Sequence, residues 1–302
     1  MSGGNRINRM DGKPLKPMTL HVDADPEVNR AAQPVLLLHG FTQNSAMWKG
    51  VREYLRQPAP GVSPEATGRM AAAAVDLPGH GRSPAPVEAE AYSLESCSEA
   101  LCATLDQLAL SRAWVVGYSM GGRAALHLAV HHPERVAGLV LISTTAGLVE
   151  EAERQTRIVS DEALARRIEA EGVEAFMEYW LGQDMLQSLR RLPPAEYAAM
   201  RQERLTNRPE GLAGSLRGMG AGRMTPLWRR LESLELPSLV LAGEEDEKYC
   251  ALARSLARVL SAHLRVLPRL GHSLPTEAPR EVAQAIARFL AAQGTGLSTI
   301  AP

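Results

Sequence analysis

Between an apolar run, Ala113-Trp114-Val115-Val116, and a helix-forming stretch that continues through Leu128 stands the heptapeptide Gly117-Tyr118-Ser119-Met120-Gly121-Gly122-Arg123. A G-x-S-x-G segment between a strand and a helix makes a tight turn that lifts the serine Oγ out of the sheet. Small residues at 117 and 121 let the two backbones approach. The amides that open the helix point at the same place and favour a developing anion beside Ser119. A chain with this turn needs a parallel sheet beneath it, and an acid and a histidine downstream to activate the serine.

The rest of the chain supplies that sheet. Residues 35–38, 71–75, 113–116, 139–142, 238–242 and 264–267 are apolar runs of strand length, and longer helical patterns alternate with them. That alternation implies a parallel sheet with helices on both faces. Residues 93–110 read as an amphipathic helix carrying Leu94, Leu101, Leu105 and Leu108, and 281–290 as a closing helix. Residues 57–69, with Pro58, Pro60, Gly61, Pro64 and Gly68, read as a long surface loop. From about 148 to 224 the strand runs vanish and Glu, Arg, Ala and Leu dominate. This is a helical insertion between two core strands, and it lies over the serine as a cap. The fold class is α/β, in the form of an α/β-hydrolase fold: a mostly parallel sheet, helices on both faces and an inserted helical cap. The core is expected at 18–147 and 225–292, the cap at 148–224, and flexible tails at 1–17 and 293–302.

With 302 residues and a formal net charge of −1, the chain has no global basic field for nucleic acid. Attraction for an anion has to come from a local cluster, and the cap is rich in arginine. Most of those arginines are expected on solvated helix faces. Cys97, Cys102 and Cys250 are odd in number and lack C-x-x-C spacing, so free thiols in a reducing compartment are expected. No apolar run reaches membrane-spanning length, and the polar start shows no signal-peptide apolar region. A cytoplasmic protein without a membrane or nucleic-acid partner is the expectation; the sequence does not give an oligomeric state.

A serine of this kind needs a histidine held by a carboxylate, in the chain order Ser, acid, His. Gly271-His272-Ser273 follows the last strand. After the preceding strand, Gly243-Glu244-Glu245-Asp246-Glu247 offers several carboxylates. Asp246 is the expected acid from its G-x-x-D spacing, with Glu244 and Glu245 as alternatives. The expected oxyanion donors are the backbone N–H groups of Phe41 and Met120. His39, in the His39-Gly40 pair after a strand, is expected to shape the oxyanion loop, and the other histidines to be structural. No His, Cys, Asp or Glu group has metal-ligand spacing, so no metal is expected.

Leu38-His39-Gly40-Phe41, Val75-Asp76-Leu77-Pro78-Gly79-His80-Gly81 and Gly117-Tyr118-Ser119-Met120-Gly121-Gly122-Arg123 together resemble the 2-succinyl-6-hydroxy-2,4-cyclohexadiene-1-carboxylate synthases of menaquinone biosynthesis. The cap extends the resemblance. It holds Glu153-Arg154-Gln155-Thr156-Arg157 with Ser160-Asp161, the aromatic segment 176–180, Leu186-Gln187-Ser188-Leu189, and Arg204-Leu205-Thr206-Asn207. Gly243-Glu244-Glu245-Asp246-Glu247-Lys248-Tyr249 and Gly271-His272 complete it. The core motifs are shared with many hydrolases; the elbow combined with the cap arginines is the selective part.

The resemblance implies a lyase that needs no metal or organic cofactor. Its substrate would be a cyclohexene bearing a ring carboxylate, a succinyl chain and an enolpyruvyl ether. The triad would abstract a ring proton next to the succinyl ketone, and pyruvate would leave. By position, the resemblance assigns Arg157 and Arg204 to carboxylates and Tyr118 and Trp180 to the pocket lining. Arg123, one helical turn past Ser119, can reach the same pocket, and arginine binds carboxylates bidentately. Arg154, on the face of Arg157, is a secondary candidate. Arg123 could instead pair with a core carboxylate, and Trp180 could simply pack in the cap. Arg190 and Arg191 are expected to be solvated. The competing function is a carboxylesterase or carbon–carbon bond hydrolase using the same triad. A non-enzymatic binding protein would have no need of all three triad residues.

Overall fold

The computed structural model describes residues 9–10, 13–14, 17–57, 59–61 and 70–294. Nine strands are described: β1 (Arg9–Met10), β2 (Lys13–Pro14), β3 (Val22–Ala24), β4 (Gln33–Leu38), β5 (Met70–Val75), β6 (Ala113–Tyr118), β7 (Val136–Ile142), β8 (Ser238–Gly243) and β9 (His263–Leu267). β1 and β2 pair with each other. The other seven form one sheet in the order β3-β5-β4-β6-β7-β8-β9. β3 runs antiparallel to β5, and every other pairing in that sheet is parallel.

The continuous apolar runs follow from this arrangement. Every residue of β5, β6 and β8 is buried, because helices cover both faces. Within β4 the faces alternate. Leu36 and Leu38 join the cluster that contains Leu101, Leu105, Ala124 and Leu256, while Val35 and Leu37 join the one with Val51, Leu55, Val282 and Ile286. The first face is covered by α2 (Leu94–Gln107), α3 (Met120–His131) and α8 (Glu247–Val259), the second by α1 (Lys49–Leu55) and α10 (Pro279–Gly294). At the open edge, β9 exposes His263, Leu264 and Arg265, and a charged residue blunts that edge.

α2 is shorter than the 93–110 expected. Ser93 Oγ accepts the Ser96 N–H at 3.1 Å and caps the start. At the other end Ala109 takes φ 54° and the Leu110 N–H returns to Leu105 O at 2.8 Å, which closes the helix and satisfies its carbonyls. β1 and β2 fall inside the expected N-terminal tail, and α10 continues through Gly294. Of the expected loop at 57–69, residues 58 and 62–69 lie outside the described part.

The insertion between β7 and β8 is helical: α4 (Glu151–Leu181), a 3-10 segment (Asp184–Arg191), α5 (Pro194–Leu205) and α6 (Pro209–Met219). The short α7 (Trp228–Leu231) then leads back to β8, and α9 (Leu274–Glu277) precedes α10. α4 bends at Gly172, whose φ of 79° is not helical. α4 and α6 share an apolar core of Ala165, Ile168, Phe176, Met177, Leu212 and Leu216. The start of α6 rests directly on the turn after β5. A Cβ on Gly211 would lie 2.1 Å from Gly79 O, and one on Gly79 would lie 2.3 Å from Gly211 O. Among the described residues no helix is long and apolar enough to cross a membrane.

Candidate active site

β6 ends in the turn expected from the sequence. Ser119 has φ 50° and ψ −109°, a costly conformation for a residue with a side chain. The surroundings hold it there. Its N–H donates to Ile142 O at 2.9 Å, and Thr144 Oγ1 donates to its carbonyl at 2.7 Å. Neither flanking glycine can be replaced without a clash: a Cβ on Gly117 would meet Gly121 O at 2.4 Å, and one on Gly121 would meet Leu38 O at 2.3 Å.

His272, in the loop after β9, places Nε2 3.1 Å from Ser119 Oγ and Nδ1 2.6 Å from Asp246 Oδ2. A carboxylate at Nδ1 fixes the proton there, so Nε2 accepts from the serine hydroxyl. Asp246 caps α8, its Oδ1 accepting the Tyr249 N–H at 3.3 Å, which leaves Oδ2 for the imidazole. The alternative acids are engaged elsewhere: Glu244 accepts the Arg269 N–H, and Glu245 pairs with Arg191. His272 itself is 1 % exposed.

Two features around the triad set its shape. Glu277, at the end of α9, accepts the N–H groups of Gly271 and Ser273 on either side of His272, each at 2.9 Å. His39 Nε2 accepts the Leu77 N–H at 2.9 Å, and burial holds its imidazole below the usual range, in the neutral form. Its Nδ1 lies 2.7 Å from Gly40 O, so the ring braces the loop that carries Phe41. Met120 is the first residue of α3, where an N–H has no partner within the helix. Phe41 and Met120 line the same cavity as Ser119.

That cavity measures about 450 Å³ and lies between the elbow and the cap. Arg123 and Arg157 both line it. Arg123 is buried and donates through Nη2 to Met219 O at 2.9 Å, and among the described residues it forms no ion pair with a carboxylate. Burial, with Arg157 close by, brings its guanidinium down to about 10, still cationic at neutral pH. Arg157 donates through Nε to Asp161 Oδ1 at 2.7 Å. Trp180 lines the cavity and is also part of the cap's packing, stacked on Phe176 at 5.8 Å and edge-on to Phe41 at 5.3 Å.

Other expected site residues lie outside that lining. Tyr118 is buried behind it, its hydroxyl 3.0 Å from Ser273 Oγ and its ring where a Cβ on Gly40 would be 2.6 Å away. Arg204 donates through Nη1 to Thr42 Oγ1 at 2.6 Å and lines a separate cavity of about 210 Å³ with Gln43, Lys49 and Glu203. Arg154 pairs with Glu151 at 3.5 Å. Arg190 is exposed. Arg191, expected to be solvated, bridges Glu245 at 2.8 Å and Glu277 at 3.5 Å, because the 3-10 segment folds down onto the His272 loop.

Ser160, Lys248 and Tyr249, which the sequence reading named only within the resembling segments and gave no site role, and Gln183, which it did not name, all line the cavity. Tyr249 lies 4.4 Å from the His272 ring, and burial raises its phenol above the ordinary value. The available signal was position: Lys248 and Tyr249 lie in the first turn of the helix that Asp246 caps. Among the described residues no group of three His, Cys, Asp or Glu side chains is placed to hold a metal.

Residues 35–285 match the alpha/beta hydrolase family. A Bacillus subtilis (strain 168) protein, provisionally named 2-succinyl-6-hydroxy-2,4-cyclohexadiene-1-carboxylate synthase, is 38% identical over 261 residues, covering 86% of this chain and 91% of its own. The protein of that name from Serratia proteamaculans (strain 568) is 30% identical, covering 87% of this chain and 96% of its own. The solved structure of MenH from S. aureus superposes with a TM-score of 0.81 at 30% identity, covering 91% of this chain and 99% of that one.

Proposed function

The chain belongs to the alpha/beta hydrolase family and, within it, to the 2-succinyl-6-hydroxy-2,4-cyclohexadiene-1-carboxylate synthases, and on that premise we propose how its site works. It is a lyase of menaquinone biosynthesis. It eliminates pyruvate from 2-succinyl-5-enolpyruvyl-6-hydroxy-3-cyclohexene-1-carboxylate to leave the cyclohexadiene. The observation that carries this reading is that two guanidinium groups, Arg123 and Arg157, share the Ser119 cavity. A neutral ester has no use for them; a substrate with three carboxylates does.

In this reading His272, held by Asp246, draws the proton from Ser119, and the activated serine takes the ring proton next to the succinyl ketone. The electron pair moves through the ring double bond, the carbon–oxygen bond to the enolpyruvyl group breaks with its electrons going to oxygen, and the released enolate takes up one proton to become pyruvate. The Phe41 and Met120 N–H groups steady the enolate oxygen that forms on the ketone. Nothing is oxidised overall and no water is consumed, so the chemistry calls for no cofactor. Arg204 enters as a fastener of the cap over the oxyanion loop, and Tyr118 as the support of Ser273 beside His272. The buried, free cysteines fit a reducing cytoplasm.

The test is pyruvate release from that substrate by the purified chain, followed with lactate dehydrogenase. Loss of substrate without pyruvate, or turnover of simple esters alone, would favour the hydrolase instead.

A further inference from the structure

Behind the arginine pair lies a carboxylate that the reaction does not use. Asp161 is one turn along α4 from Arg157, and it is 3 % exposed. Its Oδ1 takes the Arg157 Nε–H at 2.7 Å. Its Oδ2 is buried without a hydrogen-bond partner. Space for that oxygen exists because residue 220 is glycine: a Cβ there would sit 2.4 Å from it. Gly220 in turn forms part of the cavity wall.

We propose that Asp161 is a positioning residue: it aims Arg157 at a substrate carboxylate and balances the charge of Arg157 while the cavity is empty. This rests on the reading that the two arginines hold carboxylates. An ordinary i,i+4 ion pair on a helix is solvated and weak. This one is not, since the acid is buried and half of its acceptor capacity is unmet. Leaving a buried carboxylate oxygen unpaired is costly. The Arg157 cation beside it offsets that cost. The geometry of the bond also matters. A guanidinium offers a side edge through Nε and an end edge through its two Nη groups. With Nε taken by Asp161, and neither Nη hydrogen-bonded among the described residues, the end edge of Arg157 remains whole for a bidentate carboxylate.

The experiment measures succinate binding by calorimetry on the full chain, alongside thermal unfolding of each variant. Asp161→Ala should weaken succinate by roughly tenfold or more, and Asp161→Asn, which keeps the acceptor but drops the charge, by less. In an Arg157→Ala background, Asp161→Ala should cause no further loss, because its effect runs through that side chain. A merely structural carboxylate would weaken binding equally in both backgrounds, and that result would overturn the proposal. So would wild-type affinity in Asp161→Ala, or wild-type protein that binds no succinate. If Asp161→Ala fails to fold, Asp161→Asn decides: affinity equal to wild type overturns the proposal, and weaker affinity that vanishes as an effect in the Arg157→Ala background supports it. Succinate bound by the arginines without pyruvate release from the proposed substrate would count against the lyase reading and leave the role of Asp161 standing.

Discussion

Glu277 brackets His272: one carboxylate oxygen accepts the N–H of Gly271 and the other that of Ser273, so the backbone on both sides of the imidazole hangs from a single side chain. The same carboxylate accepts from Ser188 Oγ at 2.9 Å and meets Arg191 at 3.5 Å, both in the cap's 3-10 segment. Glu277→Ala should therefore lower kcat by roughly ten- to a hundredfold, as expected when a catalytic group loses its alignment. Arg191→Ala should cost only a few-fold, because that side chain is half exposed and its pairs are screened. Steady-state kinetics with melting curves on both variants check this ordering. A larger loss in Arg191→Ala would refute it.

Ser119→Ala and His272→Ala should each lower kcat by orders of magnitude with unchanged far-UV circular dichroism, and the double variant should lose little more than either. Asp246→Asn should be severe as well, since an amide can favour the wrong imidazole tautomer. An active Asp246→Asn beside an inactive Glu244→Gln would displace Asp246 as the acid.

Arg123→Ala and Arg157→Ala should each reduce kcat/KM on the tricarboxylate by about tenfold to more than a hundredfold, the equivalent of one charge-assisted hydrogen bond of about 1.5–3 kcal/mol. Lysine should restore only part, having no planar fork. Any turnover of a small neutral ester should be untouched, and equal losses on both substrates would mean that the arginines hold the cap together.

Arg204→Ala should behave differently from that pair. Its guanidinium is buried and fastens α5 to Thr42. Removing it should destabilise the chain by about 1–3 kcal/mol. It should also lower turnover of charged and neutral substrates alike. A loss confined to the tricarboxylate, with an unchanged melting temperature, would return Arg204 to the carboxylate site.

Overnight dialysis against EDTA should leave the rate of pyruvate release unchanged. A loss restored by zinc or magnesium would contradict the metal-free elimination.

The elbow was legible because everything that makes it is local: four apolar residues, a turn that only glycines permit at 117 and 121, and a helix-forming run. The order of Asp246 and His272 followed from the strands that precede them. β3 was not legible, since Val22-Asp23-Ala24 is too short to show alternation and is held by its antiparallel partner β5. The end of α2 was missed because Ala109, not glycine, takes the left-handed position. The cap arginines were legible as residues and not as directions. Arg157 and Arg204 carry the same chemistry at helical spacings, yet one lines the Ser119 cavity and the other turns to Thr42. Arg157 lies in α4 and Arg204 near the end of α5, two helices that meet the core at different places, and no local pattern encodes that.

The contact of Gly79 with Gly211 bears on how such a chain can be re-engineered. With main chain pressed on main chain and no room for even a methyl group, shape fixes how the cap seats on the core at this point, beside the hydrogen bonds that Gly81 N–H gives to Asn207 Oδ1 and Arg208 gives to Ser83 O. A cap transplanted from a relative would have to bring a glycine at 211, and its new host would have to offer one at 79. Without both, the graft would ride up on the core and spoil the alignment of every arginine it carries.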